Sequence, residues 1–217
     1  MVGYDDLAAR LAGVRAEIRR CGGSDAVRVV AVTKRHPLDA VIAGTLVGLD
    51  EFGENYADEL VAKAEQARQR GLDVRWHYIG AIQRRRLRQV CSYVSMIETV
   101  SREVELETLA DIGFEGELLI QVAPTGHPEG RNGADDDQVV ELVTRGRALG
   151  LKVVGLMGMA LPEGPDRVAA YFGHVYSLGQ SLDLREYSLG MSGDYQVGVA
   201  QGATMVRLGS VLFGARE

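Results

Sequence analysis

Two hydrophobic periods alternate along this chain. Residues 4–20 carry apolar side chains at Leu7, Leu11, Val14 and Ile18, the spacing of one helix face, and Gly22-Gly23 stops it. The next run, Val27-Arg28-Val29-Val30-Ala31-Val32-Thr33-Lys34, is branched and almost continuously apolar, as in a buried strand. Pro37 then opens a helix reaching about Val47. The switch repeats down the chain. Glu51-Phe52-Gly53 predicts a second strand and residues 56–70 a helix closed by Gly71. Residues 74–79 predict a third strand, followed by a basic helix over 83–90. Met96-Ile97-Glu98 predicts a fourth, with Ser101 capping a helix that ends at Ile112. Residues 118–122 predict a fifth strand, and the loop 123–133, rich in Pro and Gly, leads to a helix over 136–149. Residues 152–156, a helix over 165–182, and residues 185–189 continue the alternation. A short helix after Asp194 leads to an eighth strand over 204–208, and Gly209-Ser210 opens the last segment.

Strands that alternate with helices, without long hairpins, make a parallel sheet. Eight such units in 217 residues predict one domain over 1–217. Its fold class is α/β, a single (β/α)8 TIM-type barrel with an additional N-terminal helix. An open doubly wound sheet would require one or both of the weak strands, two and four, to be loops. Charge removes one class of partner: 24 basic against 30 acidic side chains give −6, where nucleic acid needs clustered positive charge. The N-terminus has no apolar signal region and no run is long enough to span a bilayer, so a cytoplasmic protein with no membrane partner is expected. Cys21 and Cys91 lie in no CxxC and read as reduced packing thiols.

The active end of such a barrel is where its strands end, and phosphate commonly sits after strands seven and eight. Lys34, Asn55, His77, Ser188, Ser192, Arg207 and Gly209-Ser210 all fall near strand ends. A lysine at the mouth of an apolar core is partly desolvated, which favours the nucleophilic neutral amine and hence reaction with a carbonyl. A strand-end lysine can equally reach out to solvent. Gly209 lets backbone approach an anion, the following turn offers amides, and the Ser192 and Ser210 hydroxyls add donors. A phosphate site beside an imine-competent lysine suggests pyridoxal 5′-phosphate (PLP). His36, His127 and His174 have no metal-ligand spacing. Asp135-Asp136-Asp137 reads as a helix start, and the arginines of 84–88 as a solvated, ion-paired face rather than a docking site for an acidic partner. His77 reads equally well as a cofactor contact or a core residue.

Six ordered blocks carry a more specific signal: Ala31-Val32-Thr33-Lys34, Phe52-Gly53-Glu54-Asn55, Trp76-His77-Tyr78-Ile79-Gly80, Gly155-Leu156-Met157, Ser188-Leu189-Gly190-Met191-Ser192, and Thr204-Met205-Val206-Arg207-Leu208-Gly209 with Phe213-Gly214. Over nearly its whole length the chain resembles the pyridoxal phosphate homeostasis protein family. That family looks like the barrel half of the alanine racemase and decarboxylase fold. The resemblance implies an internal aldimine at Lys34. It implies a phosphate held by Ser192 and the amides of Gly209 and Ser210, and Arg207 facing the pyridine nitrogen. It puts Asn55 near the ring, and His77 and Met157 along the pocket.

A permanently charged Arg207 would keep the ring nitrogen unprotonated and so a poor electron sink. The second base of alanine racemase comes from a separate C-terminal domain, and this chain ends at Glu217 just past strand eight. The expected function is therefore a PLP carrier or buffer in vitamin B6 and amino-acid homeostasis, without efficient catalysis and with no catalytic or metal residues. PLP-accepting apoenzymes are its candidate partners, and a monomer is expected. The alternatives are a weak PLP-dependent amino-acid racemase or transaminase, and a partner-binding module in which PLP only stabilises the fold.

Overall fold

In the first strand, β1 (Arg28–Val32), alternate side chains face opposite ways: Val29 and Ala31 join the main core while Val30 joins a separate cluster with Met96, Leu119, Met157 and Met205. The main core fills the space between sheet and helices, and the smaller cluster lies inside a barrel. The computed structural model describes residues 4–124 and 133–214, so the expectations for His127 and most of the 123–133 loop lie outside the described residues. Seven further strands follow: β2 (Glu51–Glu54), β3 (Arg75–Tyr78), β4 (Val94–Val100), β5 (Glu117–Val122), β6 (Lys152–Gly158), β7 (Glu186–Met191) and β8 (Met205–Leu208). Each pairs in parallel with the next, and β8 returns to β1 with Val30 opposite Arg207, closing the barrel. Strands two and four, one or both of which an open sheet would have lost, are full members.

The helices alternate with the strands: α1 (Leu7–Arg20), α2 (Leu38–Leu46), α3 (Ala57–Gln69), α4 (Arg84–Cys91), α5 (Glu103–Ile112), α6 (Asp136–Ala148), α7 (Pro165–Ser181), α8 (Tyr195–Ala200) and α9 (Ser210–Phe213). The additional α1 buries Leu7, Val14 and Ile18 and packs against α8 and α9. None of the described helices is long and apolar enough to cross a membrane.

Two local expectations are corrected. β1 ends at Val32, so Lys34 stands in the turn that follows rather than in the strand. The turn wins because Thr33 hydrogen-bonds across to β2 and Arg35 adopts a left-handed φ of 62°. Helix α5 begins at Glu103 with Arg102, not Ser101, at its cap. The Glu105 carboxylate reaches back to accept from the amides of both Ser101 and Arg102, at 2.9 and 3.1 Å. The acidic run does start a helix. Asp135 accepts from the Gln138 amide at 2.9 Å and Gln138 accepts from the Asp135 amide at 3.1 Å.

Candidate functional site

The strands all run the same way, so their C-terminal ends gather at one mouth. A cavity of about 260 Å³ opens there, just under the lower end of small-ligand sites at roughly 300 Å³. Lys34, Asn55, Met157, Ser192, Arg207, Gly209 and Ser210 all contribute to its wall. Ile79, Met159 and Met191, none of them given a site role from sequence, add apolar surface. Lys34 and Arg207 bring two cations, and no described residue of the wall is acidic. That balance suits an anion with an apolar body.

Three details of the wall fit a phosphorylated aromatic aldehyde. The Oδ1 atom of Asn55 is buried without a partner, and a buried polar atom in a cavity wall is a vacant valence for a ligand. The Ser192 hydroxyl gathers the amides of Gly209 at 3.2 Å and Val211 at 3.3 Å, which places converging donors where β8 meets α9. The Val211 amide was not foreseen. At Gly209 an added Cβ would only touch Val32 O at an ordinary 3.4 Å, so the protein's own packing does not demand glycine. The bare backbone there leaves the cavity wall open to close approach.

The Asn55 side of the mouth depends on Gly80. A Cβ at Gly80 would lie 1.8 Å from the carbonyl oxygen of Asn55, so only glycine lets the loop after β3 pass that backbone.

His77 and Ser188 are fully buried and do not line the cavity. They lie beneath it in a polar network centred on Glu98, which sequence reasoning placed in a strand without giving it a role. Glu98 Oε1 lies 2.7 Å from His77 Nδ1, and its Oε2 accepts from the Ser188 hydroxyl at 2.6 Å. Arg207 Nη1 donates to the Ser188 carbonyl at 2.7 Å and to its hydroxyl at 2.5 Å, while Nη2 donates to Gly158 O at 2.9 Å. These bonds use three of the five N–H groups of a guanidinium. Burial raises the Glu98 carboxyl, but the His77 hydrogen bond, the charges of His77 and Arg207 and the Ser188 hydroxyl outweigh it and hold the group below its usual range. Burial also lowers the Arg207 pKa from its ordinary value, against the pull of Glu98, Asp194 and Tyr171. The signal for Glu98 in the sequence was one acidic residue inside an apolar strand.

A second buried cluster lies outside the wall, where Lys63 of α3 pairs with Glu54 of β2 and Glu59, both at 2.7 Å. Burial pushes the Glu54 carboxyl up although Lys63 and Thr33 bond to its charged form. On the surface, Arg86 pairs with Asp58 at 3.0 Å, whereas Arg84, Arg85 and Arg88 are exposed.

Residues 5–217 match the family model described as the alanine racemase N-terminal domain, and the chain belongs to that class of barrel proteins. Its relatives narrow the assignment. A pyridoxal phosphate homeostasis protein of Deinococcus radiodurans is 36% identical over 211 residues, covering 94% of this chain and 98% of the relative. One of Escherichia coli K12 is 30% identical and covers 98% of each. The chain is thus a member of the pyridoxal phosphate homeostasis protein family. Among solved structures, PipY of Synechococcus elongatus superposes with a TM-score of 0.85 at 29% identity, over 96% of this chain and all of that one, and has been solved both without and with PLP bound.

Proposed function

We propose that this chain binds PLP at the mouth of its barrel, with Lys34 as the covalent anchor, and serves as a carrier or buffer in PLP homeostasis rather than as an efficient catalyst. The observation that carries the reading is a single cavity that combines a lysine amine, a buried arginine, converging amides and an unpartnered Asn55 oxygen. The names of the relatives and the PLP-bound PipY structure support it.

PLP, when bound, supplies an aldehyde carbon for an amine and a ring that can accept electron density. The protein's residues determine how far that chemistry can go. Lys34 offers the amine. Ser192, Gly209 and Ser210 take the phosphate end, with the Val211 amide alongside. Asn55, Met157 and Ile79 border the ring and exclude water from its face. Arg207 presents a fixed positive charge toward the ring nitrogen, held by Ser188 and Gly158. A cation there disfavours a proton on that nitrogen and so weakens the ring as an electron sink. His77 and Ser188 contribute through Glu98 and Arg207 rather than by contact. PLP-accepting apoenzymes are the partners this function calls for.

The test pairs two assays on the purified protein. PLP loaded on the wild type should pass to an apoenzyme in dilute solution, and Lys34→Ala should hold less PLP and deliver correspondingly less. Amino-acid isomerisation or transamination should stay near background. Turnover at ordinary enzyme rates that is abolished in Lys34→Ala would overturn the carrier reading in favour of a PLP-dependent enzyme.

A further inference from the structure

The side chain of Lys34 starts from a backbone that is held on both sides by one buried ammonium. Thr33, completely buried, donates its amide to Gly53 O at 3.2 Å and its hydroxyl to Glu54 Oε1 at 2.7 Å. Its carbonyl, in the peptide unit that leads into Lys34, accepts from Lys63 Nζ at 2.6 Å and closes the turn by accepting from His36 N at 3.0 Å. The peptide unit that leaves Lys34 carries the Arg35 amide, which donates to Glu59 Oε1 at 2.5 Å. That same oxygen accepts from Lys63 Nζ. Lys63 therefore spends its three N–H donors on Thr33 O, Glu54 and Glu59. Both peptide planes that flank the Lys34 Cα are pinned, one directly by Lys63 and the other through Glu59.

A fully used lysine that is only 5% exposed is unusual, because burying an ammonium is costly unless every donor is met. Neither Lys63, Glu54 nor Glu59 lines the cavity. Their bonds instead converge on a turn whose next residue, Arg35, sits at a φ of 62°, a left-handed conformation uncommon for a non-glycine residue. The constrained object is the origin of the Lys34 side chain.

We propose that Lys63, with Glu54 and Glu59, is the positioning device for Lys34, fixing the turn so that its amine starts from one place in the cavity. This inference rests on the reading of Lys34 as the covalent anchor. A geometric device of this kind acts on the rate of bond formation and not on the phosphate or ring contacts.

Two variants test it: Lys63→Met, which removes the ammonium, and Glu59→Ala, a partly exposed position that releases only the Arg35 side. Each is compared with the wild type in three readouts. The first is binding of 4′-deoxypyridoxine 5′-phosphate, which has no aldehyde. The second is the rate of borohydride-trapped PLP attachment to Lys34. The third is amide hydrogen exchange at Arg35 in the cofactor-free protein. The expected result is analogue binding within about two-fold of the wild type, attachment slowed at least ten-fold, and faster exchange at Arg35 in both variants. Unchanged attachment rates in the variants overturn this inference alone, and so does a loss of analogue binding that parallels the loss of attachment. No attachment at Lys34 in the wild type overturns the anchor reading and this inference with it. Should Lys63→Met fail to fold, Glu59→Ala decides the matter by the same readouts.

Discussion

Ser192→Ala separates the phosphate contacts from the rest of the site. In the barrel its hydroxyl accepts from the amides of Gly209 and Val211. Losing two long hydrogen bonds at a partly solvated site costs the fold about 1 kcal/mol. A phosphate at the same place loses a hydroxyl donor to an anion, and hydrogen bonds to charged groups contribute about 1.5–3 kcal/mol. At roughly 1.4 kcal/mol per decade, PLP affinity should fall about 10- to 100-fold. The two amides set free by the substitution remain available to the phosphate, which favours the lower end of that range. Pyridoxal, which keeps the aldehyde and ring but lacks the phosphate, should lose no more than about two-fold, since its contacts do not involve Ser192. The assay is an absorbance titration of wild type and variant with each ligand at fixed pH. Equal losses for PLP and pyridoxal would refute the assignment of Ser192, Gly209 and Val211 to the phosphate.

Gly80→Ala forces a Cβ to within 1.8 Å of the Asn55 carbonyl unless backbone moves. A loss of roughly 3 kcal/mol, seen as a Tm drop of about 6–12 °C, is expected together with weaker PLP binding. Glu98→Gln takes the charge from the centre of the buried network and should cost about 3 kcal/mol at pH 7. Because Glu98 is held below its usual range, the unfolded state takes up the proton first as pH falls. Its contribution is complete above an unfolded value of roughly 4.3 and is lost as pH drops through the lower folded value. Urea unfolding at pH 7 and pH 3 should therefore show the gap between wild type and variant narrowing in acid, and a constant gap would contradict the assignment. Burial pushes the Cys91 thiol up to about 11, so at pH 8 it should alkylate at least ten-fold more slowly than a free cysteine peptide, followed by mass spectrometry.

Most strands were legible as apolar runs bounded by glycine or by helix-capping residues, whereas β2, with Phe52 its one large apolar residue, was legible mainly from the alternation, and eight strands in one direction leave few topologies. Their ends were less legible. β6 and β7 run on to Gly158 and Met191 because Gly158 pairs with Leu189 and Met191 with Arg207, contacts that no local pattern contains. Residues that end or follow strands, such as Lys34, Asn55 and Arg207, could be expected at one mouth from topology alone. Depth along the barrel could not. His77 faces inward as its alternation suggests, but only the closed sheet brings Glu98 and Ser188 beside it and leaves it under the cavity floor. Lys63 looks like an ordinary lysine of an exposed helix. Its partner carbonyl at Thr33 is 30 residues away in sequence and meets it only when α3 packs against β2 and β3 beside the turn that follows β1.

The most direct test of the central claim is to reduce the PLP-loaded protein with borohydride and map the modified peptide by mass spectrometry, beside Lys34→Ala. The account predicts one stoichiometric pyridoxyl adduct, on Lys34, and a variant that carries none. An adduct on another lysine, or no adduct in wild type with excess PLP, would contradict it.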